Sequence, residues 1–445
     1  MTANQCAIAE GRTLLADHLP ARLDRMRILV VGINYAPDLI GVAKYNTELC
    51  EALVSFGHEV RVVTAPPYYP EWSIPRAYQG WRYRFETING VSITRSPIYV
   101  PGKPSGAKRL IHHASFALMS LRPVVSASLR WRPDVVFSVA PSLMSAALSA
   151  WIARRIGAFS WLHLQDFEID AAFDLRLLSN RRLRATMVAV ERKILRSFDC
   201  VSTISPPMLD RLAAKGVDNE KIQQVRNWTD TTQVAPGNRH TRFQKELHLN
   251  GSHFVGLYSG TMSNKQGLEL IIEAARHLDR TDPKIRFVLC GDGPHKAMLQ
   301  SLAEGLTNVQ FLRLQAGESF AELLKTADFH LIPQKAEATD LVLPSKLGGI
   351  FATGRPVIVM AEPGTGLAAE VAGAGLIIPP GDAAELAAAV RTLADNPELC
   401  ESLGKGARKI ALLRWDKTAI LGMLEQAMMT SIERKSGPSG SGHQS

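Results

Sequence analysis

From Arg27 almost to the C-terminal end, short apolar runs of strand length alternate with segments whose apolar residues recur at helical spacing. RILVVGIN (27–34), a helical stretch from Val42 to Phe56 and EVRVVTA (59–65) read as a βαβ unit. Further strands are predicted at VSITRS (91–96), DVVFSVA (134–140), FSWLHLQD (159–166), DCVSTIS (199–205) and KIQQVRN (221–227). These runs are apolar on both faces, which predicts a parallel, doubly wound α/β sheet with helices on either side. The alternation lapses into polar, Pro- and Gly-containing sequence over 228–252. It restarts with FVGLYSG (254–260), IRFVLCGDG (285–293), VQFLRL (309–314), FHLIPQ (329–334), PVIVMAE (356–362) and GLIIPPG (375–381).

Two Rossmann-like domains in series follow from this pattern, 27–230 and 253–432, joined by a linker at 231–252. A mobile extension is expected over 1–26 and a flexible tail over 433–445, after a last helical stretch from Lys417 to Ile432. Two such domains facing a central cleft would turn the carboxyl ends of both sheets toward it, so chemistry is expected in the loops after strands.

A length of 445 residues with 46% hydrophobic and 21% charged residues supports two cores and excludes a disordered chain. The first 26 residues mix acidic and basic side chains and lack the apolar stretch of a signal peptide. The run Val135 to Ala153 is long enough to suggest a membrane span, but Pro141 and its serines divide it into a buried strand, a turn at Pro141-Ser142 and a small-residue helix ending at Arg154-Arg155. Five dispersed cysteines without metal-site spacing point to reduced thiols in a cytoplasm. The net charge of +9 is uneven: residues 1–230 hold 29 basic against 20 acidic side chains, and residues 231–445 hold 22 of each. The excess therefore lies in the first part, where it can serve an anionic partner or only a solvated face.

The loops hold several candidates. Gly41, before the first helix, either makes a tight turn or lets backbone amides approach a phosphate. The dinucleotide fingerprint GxGxxG is absent there. Tyr68, Tyr69, Trp72, Tyr78 and Trp81 could stack on a sugar, bury lipid or pack locally. In GKPSGAKRLIHHASFALMSLRPVV (102–125), Lys103, Lys108 and Arg109 precede an apolar stretch, which suits a membrane interface or a core helix with a charged start. At the end of SWLHLQDFEID, His163 and Gln165 share one strand face. His163 is a catalytic group or a hydrogen-bonded core histidine. In the second domain, YSGTMSNKQGLELIIEAA puts Lys265 just before a helix, GDGP makes a glycine turn, and LVLPSKLGGIFATGRPVIV opens a helix at Pro344-Ser345-Lys346. Two helix starts that each carry a lysine point to a diphosphate.

These second-domain strings, with GDAAELAAAVRTLADNPELCESLGKGAR, resemble the sugar-nucleotide domain of GT-B glycosyltransferases of family 4. The first domain is similar to the same family through YAPDLIGVAKYNTELCEALVSFGHEVRVVTAPPYYPEW and LHLQDFEIDAA, and the whole looks like the colanic-acid-type exopolysaccharide members over about residues 27–420. Three positions depart from the family pattern. Gln165 stands where many members have the histidine of an HD pair, while Asp166 remains. Gly349 replaces the second Glu of the E-x7-E motif. Thr261 replaces the arginine after the phosphate-loop glycine, leaving Lys265 as the nearby cation.

The resemblance implies a GT-B fold and transfer of a hexosyl-type sugar from a nucleotide diphosphate sugar to an acceptor hydroxyl, with retention, without a metal or other cofactor. It implies Gly41, Gly260, Lys265, Asp340, Ser345 and Lys346 as donor contacts, and Asp166 with Gln165 or His163 on the acceptor side. The expected partners are a polyprenyl-diphosphate-linked saccharide and an anionic membrane surface at the cytoplasmic inner face, with no nucleic acid. Two other readings stay open in the sequence: a non-catalytic GT-B scaffold or sugar-binding protein, and a sugar-nucleotide epimerase on the same fold.

Overall fold

The computed structural model describes residues 25–38, 41–169, 181–315, 317–335 and 343–436. Most of the predicted N-terminal extension and residues 437–445 of the predicted tail lie outside the described residues. So does Asp340.

The first sheet is built from β1 (Arg27–Gly32), β2 (Glu59–Thr64), β3 (Arg84–Ile88), β4 (Val91–Arg95), β5 (Val135–Ala140), β6 (Phe159–Leu164), β7 (Cys200–Thr203) and β8 (Ile222–Gln224), in the order β3-β4-β2-β1-β5-β6-β7-β8. The second holds β9 (Phe254–Ser259), β10 (Ile285–Cys290), β11 (Val309–Leu312), β12 (Phe329–Ile332), β13 (Val357–Met360) and β14 (Gly375–Ile378), in the order β11-β10-β9-β12-β13-β14. The helices are α1 (Val42–Ser55), α2 (Gly106–Arg130), α3 (Leu143–Ile156), α4 (Arg181–Arg196), α5 (Pro206–Ala214), α6 (Arg242–Glu246) and α7 (Glu269–Leu278). They continue with α8 (Lys296–Leu302), α9 (Gly317–Thr326), α10 (Lys346–Ala352), α11 (Gly366–Val371), α12 (Ala383–Asp395), α13 (Pro397–Arg414) and α14 (Lys417–Ser436).

Each predicted strand is present, and the described pairings are parallel with one exception. β3 was not expected from the pattern. It runs antiparallel to β4, from Arg84 opposite Arg95 to Ile88 opposite Val91, and so corrects the reading of an all-parallel sheet. The turn between them is Asn89-Gly90, with φ of 48° and 81°, the left-handed pair that a two-residue hairpin needs.

The second sheet is covered on both faces. Val255, Leu257 and Val359 pack with Leu347, Phe351 and Trp415 on one side. Tyr258, Phe287 and Leu289 pack with Ile271, Ile272, Leu386 and Val390 on the other. The predicted linker joins the first of these layers, because Val234, Phe243, Leu247 and Leu249 are buried in it. Just before the linker the backbone is also fixed: Thr229 N donates to Trp415 O at 2.7 Å, and Lys417 N donates to Thr229 O at 3.0 Å. The linker's few apolar residues were too widely spaced to show a period, yet they fill one layer.

By compactness the chain divides into a unit of residues up to Tyr35, Asn46–Trp161 and the residues from Glu425 on, and a second unit of Ala36–Tyr45 and Leu162–Leu424. The predicted boundaries differ from these. In the first unit Met26 N donates to the His58 ring, which meets Glu425 Oε1 at 3.0 Å through its other nitrogen, and Lys435 donates to Ala158 O at 2.8 Å. Sequence period identifies the last helix but cannot assign its end to a core.

The stretch 135–153 is β5 followed by α3, as its division by Pro141 suggested. Among the described residues no helix is long and apolar enough to cross a membrane. α2 extends over 25 residues with Pro123 in its interior. Proline has no N–H for the carbonyl four residues earlier, and the Tyr83 hydroxyl donates to that Met119 carbonyl at 2.9 Å instead.

Candidate functional site

The order of the second sheet reverses between β9 and β12, which makes the loops after these strands the switch point where open α/β sheets bind ligands. Beyond β9 and β10 the ladder continues through the loops: Gly260 N donates to Cys290 O at 2.9 Å and Met262 N to Asp292 O at 2.8 Å. The approach is so close that a Cβ on Gly291 would stand 1.8 Å from the Gly260 carbonyl oxygen. Gly260 itself has φ of 146°, and a Cβ there would meet the Lys346 ammonium at 2.3 Å.

The Lys346 ammonium thus occupies the space that a side chain at position 260 would need. Lys346 is the first residue of α10, and its Nζ donates to the Tyr258 hydroxyl at 3.0 Å while lying 4.3 Å from the centre of that ring. Tyr258 passes its own hydrogen to Thr261 O at 2.6 Å. Burial lowers the Lys346 ammonium from its ordinary 10.5 to about 8 and pushes the Tyr258 hydroxyl up, so this tyrosine stays neutral.

The other donor candidates are placed less closely. Ser345 is exposed at the N-cap of α10 and makes no side-chain cap bond. Lys265 lies in a short 3-10 turn, Asn264–Gln266, and its side chain is outside the described structure. Above that turn stands Lys335, which the sequence reading missed: its ammonium donates to Asn264 Oδ1 at 2.7 Å and pairs with Glu269 at 2.7 Å. Its signal was only a lysine three residues past β12. Gly41 has φ of 62° at the start of α1 with open space where its Cβ would be, so its glycine answers a turn and not a close approach within the fold.

At the end of β6, His163 and Gln165 do share a face, and both are buried. Gln165 Nε2 donates to His163 Nε2 at 2.9 Å and to Asn227 Oδ1 at 3.0 Å. His163 Nε2 is therefore unprotonated, and its Nδ1 carries the hydrogen that meets Ser202 Oγ at 2.9 Å. Burial lowers His163 to about 4, so the ring is neutral and engaged on both nitrogens. Asp166, the next residue along, is exposed, and its Oδ1 accepts from Phe167 N at 2.8 Å.

Asn227 was read only as a strand end. Its neighbour Arg226 forms a two-point pair with the buried Glu370, Nη1 to Oε1 at 2.8 Å and Nη2 to Oε2 at 3.1 Å, and Trp415 Nε1 donates to the same carboxylate at 2.8 Å. Burial raises the Glu370 carboxyl, and the donors from Arg226 and Trp415 outweigh it, leaving the group below its ordinary range. Among the described residues no group of three His, Cys, Asp or Glu is placed to hold a metal ion.

Comparison with known proteins matches residues 41–228 to the glycosyl transferase 4-like domain and residues 240–410 to the glycosyl transferases group 1. The putative colanic acid biosynthesis glycosyl transferase WcaI of Escherichia coli (strain K12) is 42% identical over 345 residues, which is 76% of this chain and 84% of that protein. Among solved structures, sucrose-phosphate synthase from Thermosynechococcus elongatus superimposes with a TM-score of 0.66 at 19% identity, covering 91% of this chain and 99% of that one. Anabaena Alr3699/HepE in complex with UDP gives a TM-score of 0.65 at 16% identity over 91% and 100%. At these identities the two structures speak for the fold alone.

Proposed function

The chain belongs to the GT-B glycosyltransferases of family 4, and from that premise we propose that it moves a hexosyl-type sugar from a nucleotide diphosphate sugar to an acceptor hydroxyl. One observation carries the donor side of this reading. The Lys346 ammonium sits at the switch point of the second sheet with a neutral tyrosine hydroxyl as its partner, and among the described residues no carboxylate compensates its charge. A half-buried cation with no carboxylate partner among the described residues favours an anion strongly, and a diphosphate beside Gly260 satisfies it. The nucleotide diphosphate gains charge as it leaves, and a fixed ammonium stabilises that charge in the transition state. Lys265 and Ser345 border the same loops and complete the proposed donor contacts, with Asp340 as the family resemblance implies. In this reading the transfer proceeds with retention and without a metal.

Asp166 is proposed on the acceptor side, where its exposed carboxylate orients the reacting sugars. Gln165 and His163 act through their buried chain from Ser202 to Asn227, which holds the end of β6 in place. The 42% identity to a colanic acid biosynthesis relative supports a saccharide acceptor of exopolysaccharide synthesis, and the acceptor proposed with it is carried on a polyprenyl diphosphate. The basic excess before residue 231 supports work at an anionic membrane face, on the cytoplasmic side, as a peripheral protein.

The test is a panel of nucleotide sugars with the purified protein, read as release of nucleotide diphosphate with and without lipid-linked acceptor. Transfer to acceptor with one donor is the expected result. Donor binding with no turnover would overturn it in favour of a scaffold, and interconversion of the free nucleotide sugar in favour of an epimerase.

A further inference from the structure

Helix α2 is exposed where it is apolar and buried where it is largely polar. Its buried positions are His112, Phe116, Ser120, Val124 and Ser128. Its solvent side carries Ile111, Leu118, Leu121 and Leu129, at 56, 64, 38 and 65% exposure. Burial of an amphipathic helix normally takes the opposite arrangement, so the outward stripe is not explained by the folding of its own unit. The 25 residues of α2 include Lys108, Arg109, Arg122 and Arg130 and no Asp or Glu.

The hairpin strand beside it continues the same chemistry. Phe85 on β3 and Trp81 just before it are 78% and 70% exposed, with Arg82 and Arg84 between them. Tyr83 ties this strand to α2 through the Met119 carbonyl, and the Arg122 guanidinium lies 5.6 Å from the centre of the Tyr83 ring. A groove of about 870 Å³ runs between α2 and the strands, lined by Phe85 and by Arg61, Arg122 and Arg130.

We propose that α2 and the β3 hairpin form the surface by which this chain lies on an anionic lipid bilayer, its leucines and aromatics at the acyl boundary and its arginines at the lipid phosphates. The proposal rests on the membrane reading above and assigns it a place. A bilayer offers apolar chains and a layer of negative charge in one plane, which is the combination the stripe presents. Self-pairing of two such helices would bring their cations together.

The experiment is sedimentation of the full chain with vesicles of mixed phosphatidylglycerol and phosphatidylcholine, and with phosphatidylcholine alone, at low and high salt. The double variant Leu118→Ser/Leu121→Ser is compared with Leu412→Ser/Leu413→Ser, an equally exposed apolar pair on α13. The wild type and the α13 variant should bind the anionic vesicles at low salt, and the α2 variant should bind about tenfold less. Arg122→Glu/Arg130→Glu, which leaves the leucines in place, should lose the salt-sensitive part of binding.

If the α2 variant binds like the wild type, another surface meets the membrane and this proposal falls while the membrane reading stands. If the wild type does not bind at all, both fall. Loss of a dimer in the α2 variant, seen by analytical ultracentrifugation without any vesicle binding, would make the stripe a self-association face and overturn the proposal. Release of nucleotide diphosphate from the donor, measured without vesicles, should stay within about twofold in both leucine variants, because none of these residues belongs to the proposed donor site. Its absence in the wild type when an acceptor is supplied would count against the transferase reading alone.

Discussion

The ammonium of Lys346 and the hydroxyl of Tyr258 are 3.0 Å apart, and the same ammonium lies over the tyrosine ring. Eighty-eight residues separate them in the chain, and β9 and α10 bring them together. The pair holds a cation in a half-buried place without neutralising it. That makes the lysine's proton a reporter of what binds.

Donor affinity should follow the charge of Lys346. The free enzyme loses that proton near pH 8, and a bound diphosphate would retain it to higher pH. Affinity is then level below about pH 8 and falls by at most about tenfold per pH unit above it. Calorimetric titration of the donor across this range checks the profile, and Lys346→Arg should remove the inflection. Lys346→Ala should weaken donor binding roughly tenfold to a hundredfold, the value of one or two charge-assisted contacts. Because folding lowers this lysine's pKa, the unfolded chain takes up the proton first as pH falls from 10.5 to about 8. The lysine therefore costs stability through that window and below it.

Gly260→Ala tests the same site through space. The added methyl would overlap the Lys346 ammonium at 2.3 Å and adopt a φ that side chains rarely take. The lysine must move, so donor affinity should drop by about as much as in Lys346→Ala, with a loss of roughly 1 to 3 kcal/mol in stability. Urea denaturation and donor titration on one preparation separate the two effects.

If Asp166 has the acceptor-side role proposed for it, Asp166→Asn should lower turnover far more than donor affinity, because such a group acts on the transition state. Equal turnover would leave Asp166 a structural role. His163→Gln should retain much of the turnover, since the ring is neutral and committed to Ser202 and Gln165.

Stability against pH gives His163 a second readout. Its folded pKa, about 4, lies below its ordinary 6.5, so the unfolded state binds the proton first as pH falls through that window. Stability is full above about pH 6.5 and declines toward pH 4, by on the order of 3 kcal/mol from this residue. His113, also lowered to about 4 by burial first and by its charged neighbours, adds to the same slope. Urea midpoints at neutral and mildly acidic pH should show a shallower slope in His163→Gln than in the wild type.

Glu370→Ala should cost on the order of 3 to 5 kcal/mol, because it leaves the partly buried Arg226 without its carboxylate and Trp415 without its acceptor. Thermal unfolding reads this directly. Glu370→Gln should recover part of the loss by accepting one of the same hydrogen bonds.

The alternation of apolar runs along the chain was enough to set two parallel-sheet domains and to locate each expected strand, because burial on both faces makes a strand uniformly apolar whatever its neighbours are. It also led to Gly260 and Lys346, since glycine after a strand and lysine at a helix start are local signals. β3 had such a signal in Asn89-Gly90, but the strand alternates too weakly to show a period. Other features were settled only in three dimensions. Tyr258 becomes the partner of Lys346, and Asn227 the partner of Gln165, through contacts between residues far apart in sequence, where no local period carries information. The outward stripe of α2 is the clearest case: the sequence shows that a helix forms and how its apolar residues repeat, but which side faces the core depends on the surface already waiting there. In α2 the fold takes His112, Phe116, Ser120, Val124 and Ser128 inward and leaves the leucines outside.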